Sequence, residues 1–320
     1  MMSEPILACR SLKKYFDTPR GKLHAVDDVT FSIDAGKTLG VVGESGCGKS
    51  TLGRTILRLL PATSGEVIFE GKNILNCDKK ESMELRRKMQ IVFQDPYASL
   101  DPRKTVFETI SEPIKFHHLC KSADEVEERT YELMHTVGLV DRYATVYPHE
   151  MDGGRRQRIG IARALSVNPR FVVCDEPVSA LDVSIQAQVL NLMMDLQEQM
   201  GLTYLFITHN LSVVKHISDE IAVMYLGQMI ERATSRELFA NPAHPYTKAL
   251  LAAIPIPELG HHNLENEMLT GELTSPIDPK PGCRFAPRCP YATKACAEAE
   301  CSLKEIAPGH WCACPMAGKL

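Results

Sequence analysis

Nine consecutive residues, Gly43-Glu44-Ser45-Gly46-Cys47-Gly48-Lys49-Ser50-Thr51, have the spacing of a phosphate-binding turn. Backbone N–H groups can wrap a phosphate only where no side chain blocks the approach, which the three glycines secure. Lys49 supplies a point charge for the β and γ phosphates. The Ser50 hydroxyl suits Mg²⁺, and that of Thr51 suits a phosphate nearer the ribose. By average residue frequencies the pattern arises by chance in about one chain in a hundred of this length, so its surroundings matter. A second group lies downstream: Phe171-Val172-Val173-Cys174 is an apolar run ending in Asp175 and Glu176. That pair could supply a Mg²⁺-side carboxylate and, one residue on, a base that polarises an attacking water. An acidic strand end is otherwise a solvated turn or a helix cap; beside a phosphate loop the catalytic reading gains weight.

These residues need a particular frame. Ala25 to Ile33 alternates apolar and polar and reads as antiparallel strand, closed by Asp34-Ala35-Gly36. Thr38–Val42 is an apolar run fit for a buried strand, and Ser50 to Leu60 follows it as a helix. Leu133, Met134 and Val137 at helical spacing place a mostly helical insertion before the sheet resumes at 171–174 and 204–207. Ile185, Val189, Leu192, Met193, Leu196 and Met200 mark an amphipathic helix stopped by Gly201, and at this spacing the methionines read as core rather than a soft-metal box.

Composition sets limits. Hydrophobic residues at 44% and charged ones at 24% are ordinary globular values. A formal charge of -4 gives no reason to expect nucleic-acid binding. No apolar run is long enough to span a bilayer and no export signal opens the chain, so eleven cysteines read as free thiols or metal ligands in a cytoplasmic protein.

From about Leu12 to Arg232 the chain resembles the ABC ATPase family. Gln94, in Val92-Phe93-Gln94-Asp95-Pro96, is similar to the family's Q-loop glutamine, which senses Mg²⁺ and the γ-phosphate and connects to a transmembrane partner. Asp182, in Ser179-Ala180-Leu181-Asp182, resembles the D-loop at a dimer interface, and His209 resembles the switch histidine that contacts the γ-phosphate. Leu12-Lys13-Lys14-Tyr15-Phe16 is similar to the adenine-stacking segment, with Phe16 preferred and Tyr15 the alternative. The resemblance implies an α/β fold of the P-loop NTPase class, with an N-terminal antiparallel β subdomain and a helical signature subdomain at about 95–165. It also implies ATP and Mg²⁺ as ligands.

One motif departs from the family. Where members carry Leu-Ser-Gly-Gly-Gln, this chain has Met151-Asp152-Gly153-Gly154-Arg155. An anion about 4 Å from a phosphate charge costs about 4 kcal/mol at an effective dielectric near 20, before any offset from Arg155. The expectation is a heterodimer in which this chain's own Lys49, Asp175, Glu176 and His209 pair with a partner's ordinary signature; full compensation by Arg155, or a neutral or inactivating change, is the other reading.

After about residue 240 the texture changes, with eleven of twenty prolines between 241 and 320. The chain divides into a cassette, 1–240, and a Cys/Pro-rich extension, 241–320. Six of the eleven cysteines fall in the last 38 residues, a clustering that calls for a cause. Asn241 to Thr247, Pro281-Gly282-Cys283 and Arg288-Cys289-Pro290 resemble the C-terminal extension of oligopeptide and dipeptide importer ATPases. That resemblance implies a [4Fe–4S] cluster on Cys283, Cys289, Cys296 and Cys314, with Cys301 and Cys312 as further thiols; zinc or free thiols are the other readings. It further implies two transmembrane permease subunits, an external solute-binding protein and a place on the cytoplasmic face of the inner membrane. Peptides lead as cargo, with nickel complexes and small oligosaccharides as alternatives. A soluble ABC switch in translation or DNA repair is disfavoured by a single cassette without sustained heptads, and a small-molecule kinase by the His209 and Asp182 motifs.

Overall fold

The computed structural model describes residues 4–254, 275–298 and 301–318. Of the extension assigned to 241–320, residues 255–274 lie outside the described residues. Two compact units emerge: one of residues 1–34, 38–76 and 207–320, the other of 35–37 and 77–206.

In the first unit, Leu7–Thr18 pairs antiparallel with Gly21–Ile33 on one side and with Ser64–Phe69 on the other. The expected strand over Ala25 to Ile33 is the second of these. Leu7, Cys9 and Leu12 turn inward, Val29, Phe31 and Ile33 join them, and bulges at Cys9/Leu12 and Leu12/Lys14 shift the register. A parallel pair, Thr38–Val42 with Glu220–Tyr225, carries the phosphate loop at its end. All five residues of Thr38–Val42 are buried, so this run shows no alternation. Gln228–Thr234 extends the pair antiparallel, and the extension adds His310–Cys312, with Glu231 opposite Cys312 and Arg232 opposite Trp311.

Tyr246 and Phe285 of the extension are fully buried against Tyr225, with ring centroids 4.8 to 5.5 Å apart. Tilted and edge-on rings at this spacing add about 0.5–1.5 kcal/mol per pair to their burial. One carboxylate lies within this packing. Buried Glu231 accepts the Ala243 and His244 N–H groups at 2.7 and 2.9 Å and lies 2.8 Å from His310 Nε2.

In the second unit Phe171–Asp175 runs parallel to Met89–Val92 and is bordered on its other side by Thr203–Ile207. The helical insertion is Val106–Phe116, Ala123–Thr136 and Gly153–Leu165, the first begun by a Thr105/Glu108 capping box. Val183–Met200 ends at Gly201 with φ 62°, the left-handed stop expected of it. Val189, Leu190, Met193 and Leu196 are its buried face, whereas Met200 is exposed at the end of the last turn.

Candidate active site

The phosphate loop leaves its strand through backbone that only glycine tolerates. Gly43 has φ 153° and a Cβ there would lie 2.2 Å from Met224 O; Gly48 has φ 107° and a Cβ would lie 1.9 Å from Ala25 O. The loop is therefore pressed between two backbone carbonyls, while Gly46 at φ 78° faces open space. Lys49, 5% exposed, folds back so that Nζ donates to Gly43 O at 2.7 Å and Glu44 O at 2.9 Å. Ser50 and Thr51 stand half-buried in the first turn of the helix Lys49–Ile56, the helix end that favours anions. Burial pushes the Cys47 thiol up, against the pull of Lys49, so it stays protonated and inert. Ser45 is exposed on the loop.

Of the two adjacent aromatics, Tyr15 stacks on His24 at 3.9 Å and its hydroxyl binds Asp27. Phe16 is half-buried with the Lys14 ammonium over its ring. His209 is exposed, between buried Thr208, whose N–H donates to Val41 O, and Asn210, which caps the next helix.

In the second unit Asp175, 1% exposed, ends its strand. Glu176 follows with φ 49°, a left-handed conformation that costs a non-glycine residue about 1–3 kcal/mol and turns the chain sharply at the carboxylate. Glu176 Oε2 accepts a hydrogen bond from Gln94 Nε2 at 3.1 Å, so two candidates 82 residues apart come together. Asp182 is exposed at the N-terminus of the helix Val183–Met200.

The signature segment is better provided for than its charges suggest. Asp152 is the N-cap of Gly153–Leu165: one oxygen accepts the Arg155 N–H at 2.8 Å and the other pairs with the Arg155 guanidinium at 2.6 Å. Aspartate caps as well as serine does, and the Arg155 guanidinium pairs with its charge. Gly154 is required by packing, since a Cβ would lie 2.5 Å from Ile185 Cγ2; at Gly153 it would meet Leu181 at 3.1 Å.

The cluster expectation gains no support. Cys283, Cys289, Cys296 and Cys314 do line one small cavity together with His244 and Met316. Yet among the described residues no group of three or more His, Cys, Asp or Glu side chains has a metal-holding arrangement. Cys296 Sγ accepts the Thr293 N–H, and Cys312 Sγ accepts the Cys314 N–H. A hydrogen bond from Cys301 draws the Cys283 thiol down, while burial pushes Cys289 and Cys314 up.

Sequence reasoning missed the partners of Glu44. Its carboxylate takes both terminal nitrogens of Arg288, and its N–H donates to the Tyr246 hydroxyl. The only signal was an acid inside an otherwise neutral or basic loop.

A family model described as ABC transporter matches residues 26–179, and one described as the C-terminal region of oligopeptide/dipeptide transporters matches 230–296. The chain is 53% identical to the putative oligopeptide transport ATP-binding protein YkfD of Bacillus subtilis, over 97% of this chain and 95% of that protein. It is 58% identical to OppF, an oligopeptide transport ATP-binding protein of the same organism, over 80% and 85%. With the dipeptide transport ATP-binding protein DppF of Haemophilus influenzae identity is 50%, over 97% and 96%. Among solved structures, the dimeric cassette MJ0796 in a post-hydrolysis state with ADP and Pi matches with TM-score 0.66 and 29% identity, over 72% of this chain and 99% of that one. The cassette cbiO1 of Clostridium perfringens matches with TM-score 0.66 and 27% identity, over 75% and 92%. The α/β fold of the P-loop NTPase class is thus that of the ABC cassettes, and the chain belongs to the oligopeptide/dipeptide ABC-transporter ATP-binding proteins.

Proposed function

We propose that the chain binds Mg²⁺-ATP and hydrolyses it to drive a membrane importer of short peptides. The observation that carries this reading is the buried strand ending in Asp175 and the Gln94-bound Glu176, in a chain half-identical to peptide-transport ATP-binding proteins. The loop amides from Gly43 to Gly48 and the Lys49 ammonium bind the phosphates, Thr51 adds a hydroxyl, and Phe16 stacks on adenine. Ser50, Gln94 and Asp175 offer oxygen donors, the class that suits Mg²⁺, which when bound neutralises charge on the β and γ phosphates. Glu176 accepts a proton from the attacking water, Gln94 holds Glu176, and His209 contacts the γ-phosphate.

The cassette, 1–240, works as a pair with a second, different cassette. Both Asp152 oxygens are taken by Arg155, and an ionised carboxylate donates nothing to phosphate. In our reading the competent site pairs this chain's Lys49 and Glu176 with the partner's serine signature, while Asp152 to Arg155 and Asp182 face the partner. The pair couples to two permease subunits at the cytoplasmic face of the membrane, and an external solute-binding protein delivers cargo to them. No helix among the described residues is long and apolar enough to cross a membrane. Purifying the chain with its co-purifying subunits and changing each cassette's glutamate to Gln in turn is the test. Loss of turnover from Glu176→Gln alone is expected; turnover surviving that change but lost with the partner's glutamate would reverse the assignment.

A further inference from the structure

Glu44 is the only acidic side chain between Gly43 and Thr51, a loop proposed above to hold polyphosphate. An uncompensated carboxylate there opposes the loop amides and Lys49. Three contacts converge on this residue. Arg288 donates from both terminal nitrogens to the two carboxylate oxygens, at 2.8 and 3.0 Å, in a fork geometry that lysine cannot reproduce. The Glu44 N–H donates to Tyr246 Oη at 2.9 Å, and the Glu44 carbonyl accepts from Lys49 Nζ at 2.9 Å. Arg288 and Tyr246 both belong to the extension, and both are buried. The guanidinium lies over the Tyr225 ring, and the Tyr225, Tyr246 and Phe285 group fixes its base.

We infer that Arg288 is a positioning residue for nucleotide binding, which neutralises the Glu44 carboxylate and ties it to the extension so that the loop amides and Lys49 meet the phosphates unopposed. Because the same Glu44 peptide contacts Lys49, the extension acts on ATP affinity through one residue rather than through general packing. The inference rests on the reading of the loop as the nucleotide site.

A double-mutant cycle tests it in the full chain with its partner subunits, with the equilibrium Kd for Mg²⁺-ATP as readout. Arg288→Met is expected to weaken ATP about tenfold, the scale of one uncompensated charge in a partly solvated site. Arg288→Met with Glu44→Gln is expected to bind within about twofold of Glu44→Gln alone, because the offending charge is gone. Equal losses in both backgrounds would overturn the inference, since a merely structural arginine costs the same whether or not Glu44 is charged. Should Arg288→Met fail to fold, Arg288→Lys in the same cycle keeps a charge without the fork; it is expected to lose about threefold with Glu44 present and nothing in the Glu44→Gln background. Native protein that binds no Mg²⁺-ATP at all would instead sink the nucleotide-site reading itself.

Discussion

Gln94 Nε2 lies 3.1 Å from Glu176 Oε2, joining the residue just beyond strand Met89–Val92 to the sharp turn after strand Phe171–Asp175. An amide donor on one carboxylate oxygen restrains the rotation of the carboxylate. Glu176→Gln is expected to lower kcat by about a hundredfold or more while ATP affinity holds, the scale of a lost general base. Gln94→Ala should cost less, because it frees the carboxylate to rotate without removing it. Turnover above half the native rate in Glu176→Gln would remove this residue from the role of base.

Gly48→Ala addresses the loop without touching a charge. The added methyl would stand 1.9 Å from Ala25 O at a φ of 107°, so both sterics and backbone conformation oppose it. Loss of ATP binding with the rest of the fold retained is expected, read by nucleotide titration beside a melting curve. Gly46→Ala meets nothing within 4 Å and bears only the backbone strain of φ 78°, so it should lose less. Equal affinity in Gly48→Ala and the native chain would contradict the packing described here.

The phosphate loop was legible in the sequence because its constraints are local: glycine where φ is positive, lysine and a hydroxyl at the next positions. The carboxylate pair was legible for the same reason, standing at the end of a run too apolar for anything but a buried strand. Arg288 and Glu44 were not legible as a pair, since 244 residues separate them and no period links them. The charge of Asp152, weighed against phosphate alone, hides its place as a helix cap. The tail cysteines draw attention by number, and four of them gather around one small cavity, a placement spacing does not encode.

Asp152 as a cap makes a separable prediction. Asp152→Ala removes the acceptor for the Arg155 N–H and should cost about 1 kcal/mol of stability. Asp152→Ser should restore the cap and supply a hydroxyl donor. In the purified chain alone, Asp152→Ser is expected to raise ATP turnover if two copies pair, because both composite sites then gain a serine. A melting temperature for Asp152→Ala equal to that of Asp152→Ser would show that the cap contributes nothing.

Glu231 and His310 give the first unit an opposed pair of pH dependences. The Glu231 hydrogen bond raises His310 above the ordinary imidazole value near 6.5, outweighing its burial, and Glu237 adds to this from 3.7 Å. A raised histidine contributes stability in full below that ordinary value and loses it as pH climbs through the folded-state value. For Glu231, burial favours the neutral form, but His310, Thr247 and the N–H groups of Ala243 and His244 outweigh it and hold the carboxyl below its ordinary 4.5. Its contribution is present above 4.5 and fades as pH falls through the lowered value. The pair is therefore fully stabilising between those limits, from 4.5 to 6.5. The melting-temperature advantage of the native chain over His310→Gln should be largest there and shrink towards about pH 9, because the variant has no proton to lose. Parallel melting curves for the two proteins across that range would mean that His310 is neutral in the folded state, held to Glu231 by an ordinary hydrogen bond alone.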